Sequence, residues 1–161
     1  MIRQAVTADL LPVLELYRSA REFMRENGNP TQWGTSYPSE ELLAEDVRRG
    51  ELYVCEEEER PYGVFVLSFG PEPTYKRIEQ GRWKSDKPYG TIHRVAGDGT
   101  VKGVFLECVQ FCRSKCGHLR IDTHADNRVM RRLIEAAGFE RRGIICVRGG
   151  SPRIAYEWTK E

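Results

Sequence analysis

The chain's 161 residues, 25 Lys+Arg against 24 Asp+Glu and 40% hydrophobic side chains suffice for one core but not for separate cofactor and substrate domains, so a single domain over 1–161 is expected. Near neutrality argues against a broad nucleic-acid or membrane surface. No apolar run reaches the roughly 20 residues of a membrane helix, and the N-terminal segment lacks a signal-peptide core, so a cytoplasmic location is expected.

Met1–Val6 reads as a strand, and Thr7 as the cap of a helix carrying Leu10, Leu11, Leu14, Tyr17 and Met24 at helical spacing. Asn27-Gly28-Asn29-Pro30 stops it. Between Thr31 and Pro38 the rings of Trp33 and Tyr37 either wall a substrate site or tuck into the core, and aromatic chemistry serves both. Ser39 opens a second helix that ends at Gly50. Leu52–Glu56 and Tyr62–Phe69 form a hairpin around a charged, solvated turn, and Gly70–Pro88 makes a polar excursion anchored by Tyr75, Ile78 and Trp83. After the strand Thr91–Ala96 come a helix at about Val101–Lys115, a strand His118–Thr123, a helix Asn127–Ala137, and strands Glu140–Val147 and Ile154–Trp158. Cys108, Cys112 and Cys116 fall on one helix face, where they read as small hydrophobes. Three sulfurs strung along a rod cannot converge on one tetrahedral ion, so no metal site is expected.

The segment Thr91–Gly103 carries most of the functional information: a strand enters a glycine-rich loop that opens directly into a helix. Unpaired loop N–H groups and the positive end of the helix dipole make such a junction a phosphate cradle. A mononucleotide P-loop fails, because Lys102 precedes Gly103 and no hydroxyl follows to hold magnesium. A dinucleotide fingerprint has Gly97, Gly99 and a downstream Asp122, but Lys102 stands at its third glycine.

Beyond the loop, Asn127 begins a helix ending Leu133-Ile134-Glu135-Ala136-Ala137-Gly138-Phe139, and another strand follows. This ordering resembles the GNAT superfamily of acetyl-CoA-dependent N-acetyltransferases over nearly the whole chain. The resemblance implies an α/β (α+β) fold: a single domain with a mixed, mostly antiparallel sheet of about seven strands, flanking helices, and a splayed strand pair forming the coenzyme A cleft. The family loop Q/R-x-x-G-x-G/A can be laid on Arg94-x-x-Gly97-x-Gly99 or on Thr100-x-x-Gly103-x-Phe105. The second register is preferred because it puts Gly103 at the helix start and leaves Arg94 in the strand. It implies cofactor contacts from Val95, Ala96, Gly97, Gly99, Thr100, Val101, Lys102, Gly103, Val104 and Asn127.

The implied reaction moves acetyl from acetyl-CoA to a primary amine of a small molecule or peptide, by direct attack through a tetrahedral intermediate that an N–H near Val95 or Ala96 stabilises. His124, His93 and Asp122 are the candidate bases, in that order of preference for the histidines. The family's thiol-protonating tyrosine is replaced by Ile134, which leaves Tyr156 or water for that role. Loss of the tyrosine keeps open a rival reading, a non-catalytic acyl-CoA-binding module, and nothing fixes the acyl group's size. Trp33 and Tyr37 are the expected acceptor contacts, and a homodimer is compatible with the resemblance.

Overall fold

The computed structural model describes residues 1–160. In chain order the elements are β1 (Ile2–Gln4), α1 (Leu10–Glu26), α2 (Glu40–Arg48), β2 (Leu52–Glu57), β3 (Arg60–Phe69), β4 (Gly90–Gly97), α3 (Val104–Lys115), β5 (His118–Thr123), α4 (Arg128–Ala136), β6 (Glu140–Cys146) and β7 (Pro152–Thr159). Seven strands form one sheet in the order β1-β2-β3-β4-β5-β7-β6, and only β4 and β5 run parallel.

Helices cover both faces of the central strands, which is why β3 is buried at every position from Tyr62 to Leu67. Side-chain alternation sends Phe65, Leu67, Ile92, Leu119 and Ile121 to one face, against Phe105, Cys108, Val109 and Cys112 of α3 and Ile134 of α4. Val54, Val64 and Val66 turn to the other, against Val13, Leu16 and Tyr17 of α1 and Leu43 of α2. The cysteines pack as small apolar groups: Cys108 and Cys112 are fully buried, and Cys55 Sγ lies 4.0 Å from Cys108 Sγ.

The sequence reading and the fold differ at helix starts. Thr7 does not cap α1; it begins a separate 3-10 turn, Thr7–Asp9, in which the Asp9 carboxylate accepts from Val6 N–H and pairs with Arg3. Helix α3 starts at Val104 rather than near Val101 because residues up to Gly103, at φ 78°, complete the preceding loop.

The excursion is strapped to the sheet by a buried charged hub. Glu157, only 2% exposed, accepts from Lys84 N–H at 2.6 Å and pairs with His118 Nε2 at 2.5 Å. Arg120 is sandwiched between Trp83 and Tyr89, its guanidinium carbon 3.9 and 4.0 Å from the ring centres, and donates to Ser85 O. Further along, Glu79 bridges to Ile144, and a Cβ on Gly143 would stand 2.5 Å from Glu79 O. Gly143→Ala is therefore expected to lower the unfolding free energy by about 1–3 kcal/mol, measured by urea titration, through a clash with backbone that cannot rotate away.

Candidate active site

Strands β4 and β5 meet only at Gly90–Leu119 and Thr91–Arg120, and beyond these two pairs they separate. On its other edge β4 stays bonded to β3 but carries an extra residue, since Val64 faces Ala96 while Val66 faces His93. This bulge holds Arg94 at φ +50°, a left-handed conformation unusual for a side chain with a Cβ. Three contacts hold it there. Tyr17 Oη donates to Arg94 O at 2.8 Å, and the guanidinium donates to Asp46 Oδ2 at 2.5 Å and to Tyr37 Oη at 3.2 Å. Asp98 N–H bonds back to Tyr62 O on β3. Successive strand N–H groups point to opposite edges, so those of Gly97 and Val95 face the open side.

Into this opening runs a cleft of about 530 Å³. Its floor is Val95, Ala96, Gly97, Gly99 and the first turn of α3, with Val101, Gly103 and Val104 on the loop side. Asn127, Met130 and Leu133 form one wall, and Phe23, Met24 and Asn29 the other. Phe23, Leu106, Val129 and Leu133 are 52%, 49%, 38% and 42% exposed, so the lining is apolar surface left to water. The α3 N-terminus has no side-chain cap, whereas Ser39 and Asn127 cap α2 and α4. Nothing lies within 4 Å of where a Cβ would stand on Gly99 or Gly103, and both have positive φ. An uncapped helix start behind open glycine backbone has the geometry that an anion seat requires.

Two of the expected contacts do not line the cleft. Thr100 is folded onto its own loop, with Oγ1 donating to Asp98 Oδ1 at 2.6 Å and accepting from Arg60 at 3.1 Å, and Lys102 is exposed on the loop. Asn127 does line it, but both ends of its amide are engaged: Oδ1 caps Met130 N–H and Nδ2 donates to Gln32 Oε1 at 3.1 Å.

Beside the cleft, His93, Asp122 and Tyr75 gather where the strands part. Asp122 Oδ2 accepts from Tyr75 Oη at 2.6 Å, and burial pushes its carboxyl above the usual range. Burial also lowers His93 to about 4, with Glu72 Oε1 3.5 Å from Nε2, so its ring is neutral at pH 7. His124 is arranged differently from the first-choice base of the sequence reading. Asp126 N–H donates to Nδ1, so the neutral ring carries its proton on Nε2, 3.5 Å from Thr31 Oγ1, and has no free lone pair for an amine proton.

Tyr156 is fully buried beneath α4, donates to Glu135 Oε2 at 3.2 Å and does not line the cleft; burial raises its pKa. Ile134 is likewise in the core, and α4 presents Met130, Leu133 and Ala136 to the cleft instead. Trp33 packs edge-on to Tyr17 and partly under the α1 layer, while Tyr37 is 41% exposed and reaches Arg94. The wall residues from α1 had a readable signal. Ala20, Phe23, Met24 and Asn27 repeat at i, i+3, i+4, i+7, a second stripe beside the core-facing one.

Removing the α4 cap in Asn127→Ala is expected to cost about 1 kcal/mol of unfolding free energy by chemical denaturation. Acidification tests His93 independently. Between pH 6.5 and 4 the unfolded chain binds a proton at this site that the folded chain refuses, so stability falls as pH drops through that window. The expected loss is ~1–3 kcal/mol, and His93→Gln should remove that part of the slope.

No protein-family model matches the chain, and no curated protein sequence matches it. Solved structures do. A GNAT-family acetyltransferase from Streptococcus agalactiae 2603 is 26% identical with a TM-score of 0.89, covering 100% of this chain and 95% of its own. A ribosomal-protein-alanine N-acetyltransferase from Brucella melitensis is 20% identical, with a TM-score of 0.62 and coverage of 99% of both chains. The acetyltransferase yncA from Salmonella typhimurium, solved with acetyl-CoA, is 17% identical with a TM-score of 0.61, covering 100% of this chain and 94% of its own. With its mixed sheet opening between β4 and β5, the chain has the fold of the GNAT superfamily of acetyltransferases.

Proposed function

We propose that the protein transfers the acetyl group of acetyl-CoA to an amine. The uncapped α3 N-terminus behind Gly99 and Gly103, at one end of an apolar cleft, carries this reading. A pyrophosphate suits the former, and a pantetheine arm with its few amides suits the latter. Acetyl-CoA supplies a thioester carbonyl whose thiolate, with a pKa near 8.5, leaves without strong acid assistance.

The chain's own part is positioning and proton handling. Val95 and Gly97 turn N–H groups to the open edge of β4, where they can bond the pantetheine amides and the thioester oxygen as it gains charge. Arg94, fixed by Asp46 and Tyr17, sets the bulge that aims them. The amine nitrogen forms the new C–N bond, the C–S bond breaks, and the electron pair departs with sulfur. The nitrogen's proton passes to Asp122, whose Oδ1 is free while Tyr75 holds Oδ2. Its raised pKa brings it nearer the working pH than an ordinary carboxylate, whereas His93, lowered to about 4, is the poorer acceptor. With Tyr156 under α4, solvent is left to protonate the thiolate.

Acceptor-dependent release of free thiol from acetyl-CoA, measured over a broad amine panel, tests the assignment; tight coenzyme A binding with no release would favour a binding module instead. Gly103→Glu, which places a carboxylate in the anion seat, is expected to weaken coenzyme A binding by about 100-fold or more in calorimetry while leaving the fold intact. Asp122→Asn should lower kcat by roughly 100- to 10,000-fold with little change in the KM for acetyl-CoA.

A further inference from the structure

Across Gln32 from the cleft lies a buried guanidinium with no carboxylate at ion-pair distance among the described residues. Gln32 Oε1 accepts from Asn29 at 2.8 Å and from Asn127 at 3.1 Å, both cleft-lining residues, while its backbone carbonyl faces the Arg153 guanidinium. Arg153 is 8% exposed. Its Nη1 donates to Ser151 Oγ at 2.6 Å and Pro152 O at 2.9 Å, and its Nη2 reaches Gln32 O at 3.4 Å. Among the described residues no carboxylate lies within ion-pair distance of it, unlike Arg94 and Arg120, which pair with Asp46 and Glu157. Burying a guanidinium without an ion-pair partner is unfavourable, and burial lowers its own pKa, with Asp122 opposing that shift through space.

Its neighbours complete the picture. In the β5–β7 register Asp122 faces Ala155, so Arg153, two residues earlier, shares that sheet face as Asp122's diagonal neighbour, roughly 7–8 Å away. Asp122 acts on Arg153 only through space across that span and makes no ion pair with it, while Tyr75 holds its Oδ2. The two residues thus present a cationic and an anionic point a short span apart, beside the place where β4 and β5 separate. Alkylamines and peptide N-termini carry nothing to match the cationic point.

We propose that Arg153 binds a carboxylate of the acceptor, and that the acceptor is a small molecule of amino-acid type whose amine lies toward Asp122. The inference rests on the acetyl-transfer reading and adds its substrate class. The amine and carboxylate of one molecule then complete the charge pairing that the folded chain leaves open, and a peptide with only an amine near its N-terminus leaves Arg153 unsatisfied.

The test pairs each of a panel of amino acids with its carboxamide, alongside simple alkylamines and short peptides, in the thiol-release assay with acetyl-CoA. At least one free acid is expected to exceed its amide in kcat/KM by about 10- to 100-fold, the usual worth of a charge-assisted contact. Arg153→Gln should collapse that ratio toward unity without changing the KM for acetyl-CoA, and Arg153→Lys should recover part of it. Melting temperatures of the variants identify any that fail to fold, and binding of the N-acetylated acid against its N-acetylated amide to the coenzyme A complex of the wild-type protein then decides the question. Acetylation confined to carboxylate-free amines or peptides, an acid-to-amide ratio near one, or equal losses on both forms in Arg153→Gln would overturn the inference while leaving acetyl transfer standing. Coenzyme A binding without thiol release from any amine would overturn both.

Discussion

The separation of β4 from β5 is the constraint on which the rest of the molecule depends. After Thr91 and Arg120 the two strands share no ladder, yet each stays paired on its far side, β4 with β3 apart from the bulge at Arg94 and Val95, and β5 with β7. A sheet can tolerate such a gap only if the exposed backbone groups find other partners, since unpaired buried N–H and C=O groups are costly. The cleft is where those partners would come, and its apolar walls from α1, α3 and α4 converge on the same gap.

Strain at one residue maintains that geometry. Arg94 occupies a backbone conformation that costs on the order of 1 kcal/mol, and it is held by contacts from three elements: Tyr17 of α1, Asp46 of α2 and Tyr37 of the intervening loop. The same loop spans from the cleft to β7, because Gln32 touches the α4 cap on one side and Arg153 on the other. The cleft wall and Arg153 are therefore linked through the hydrogen bonds of one side chain and its backbone carbonyl.

The succession of strands along the chain, the hairpin, and the helices on either side of β5 were legible in the sequence because period-2 and period-3.6 patterns, turn formers and caps are local signals. Ser39 and Asn127 cap the helices assigned to them. Thr7 misled because Asp9, two residues on, offers a carboxylate that both Val6 N–H and Arg3 prefer. The loop's glycines pointed to a phosphate cradle, but not to which loop side chains turn inward. That depends on Arg60 and Asp98 pulling Thr100 onto the loop, a contact between positions far apart in the chain.

By itself the sequence determined the periodic elements, the glycine-rich entry to α3 and the resemblance that joins them, since these depend on backbone preferences within a few residues. The tertiary structure alone decided the burial that lowers His93 and raises Asp122, and the lack, among the described residues, of any carboxylate within ion-pair distance of Arg153. Each of these depends on which distant groups share a low-dielectric neighbourhood. Electrostatic energy there varies with distance and desolvation, and neither is encoded in spacing along the chain.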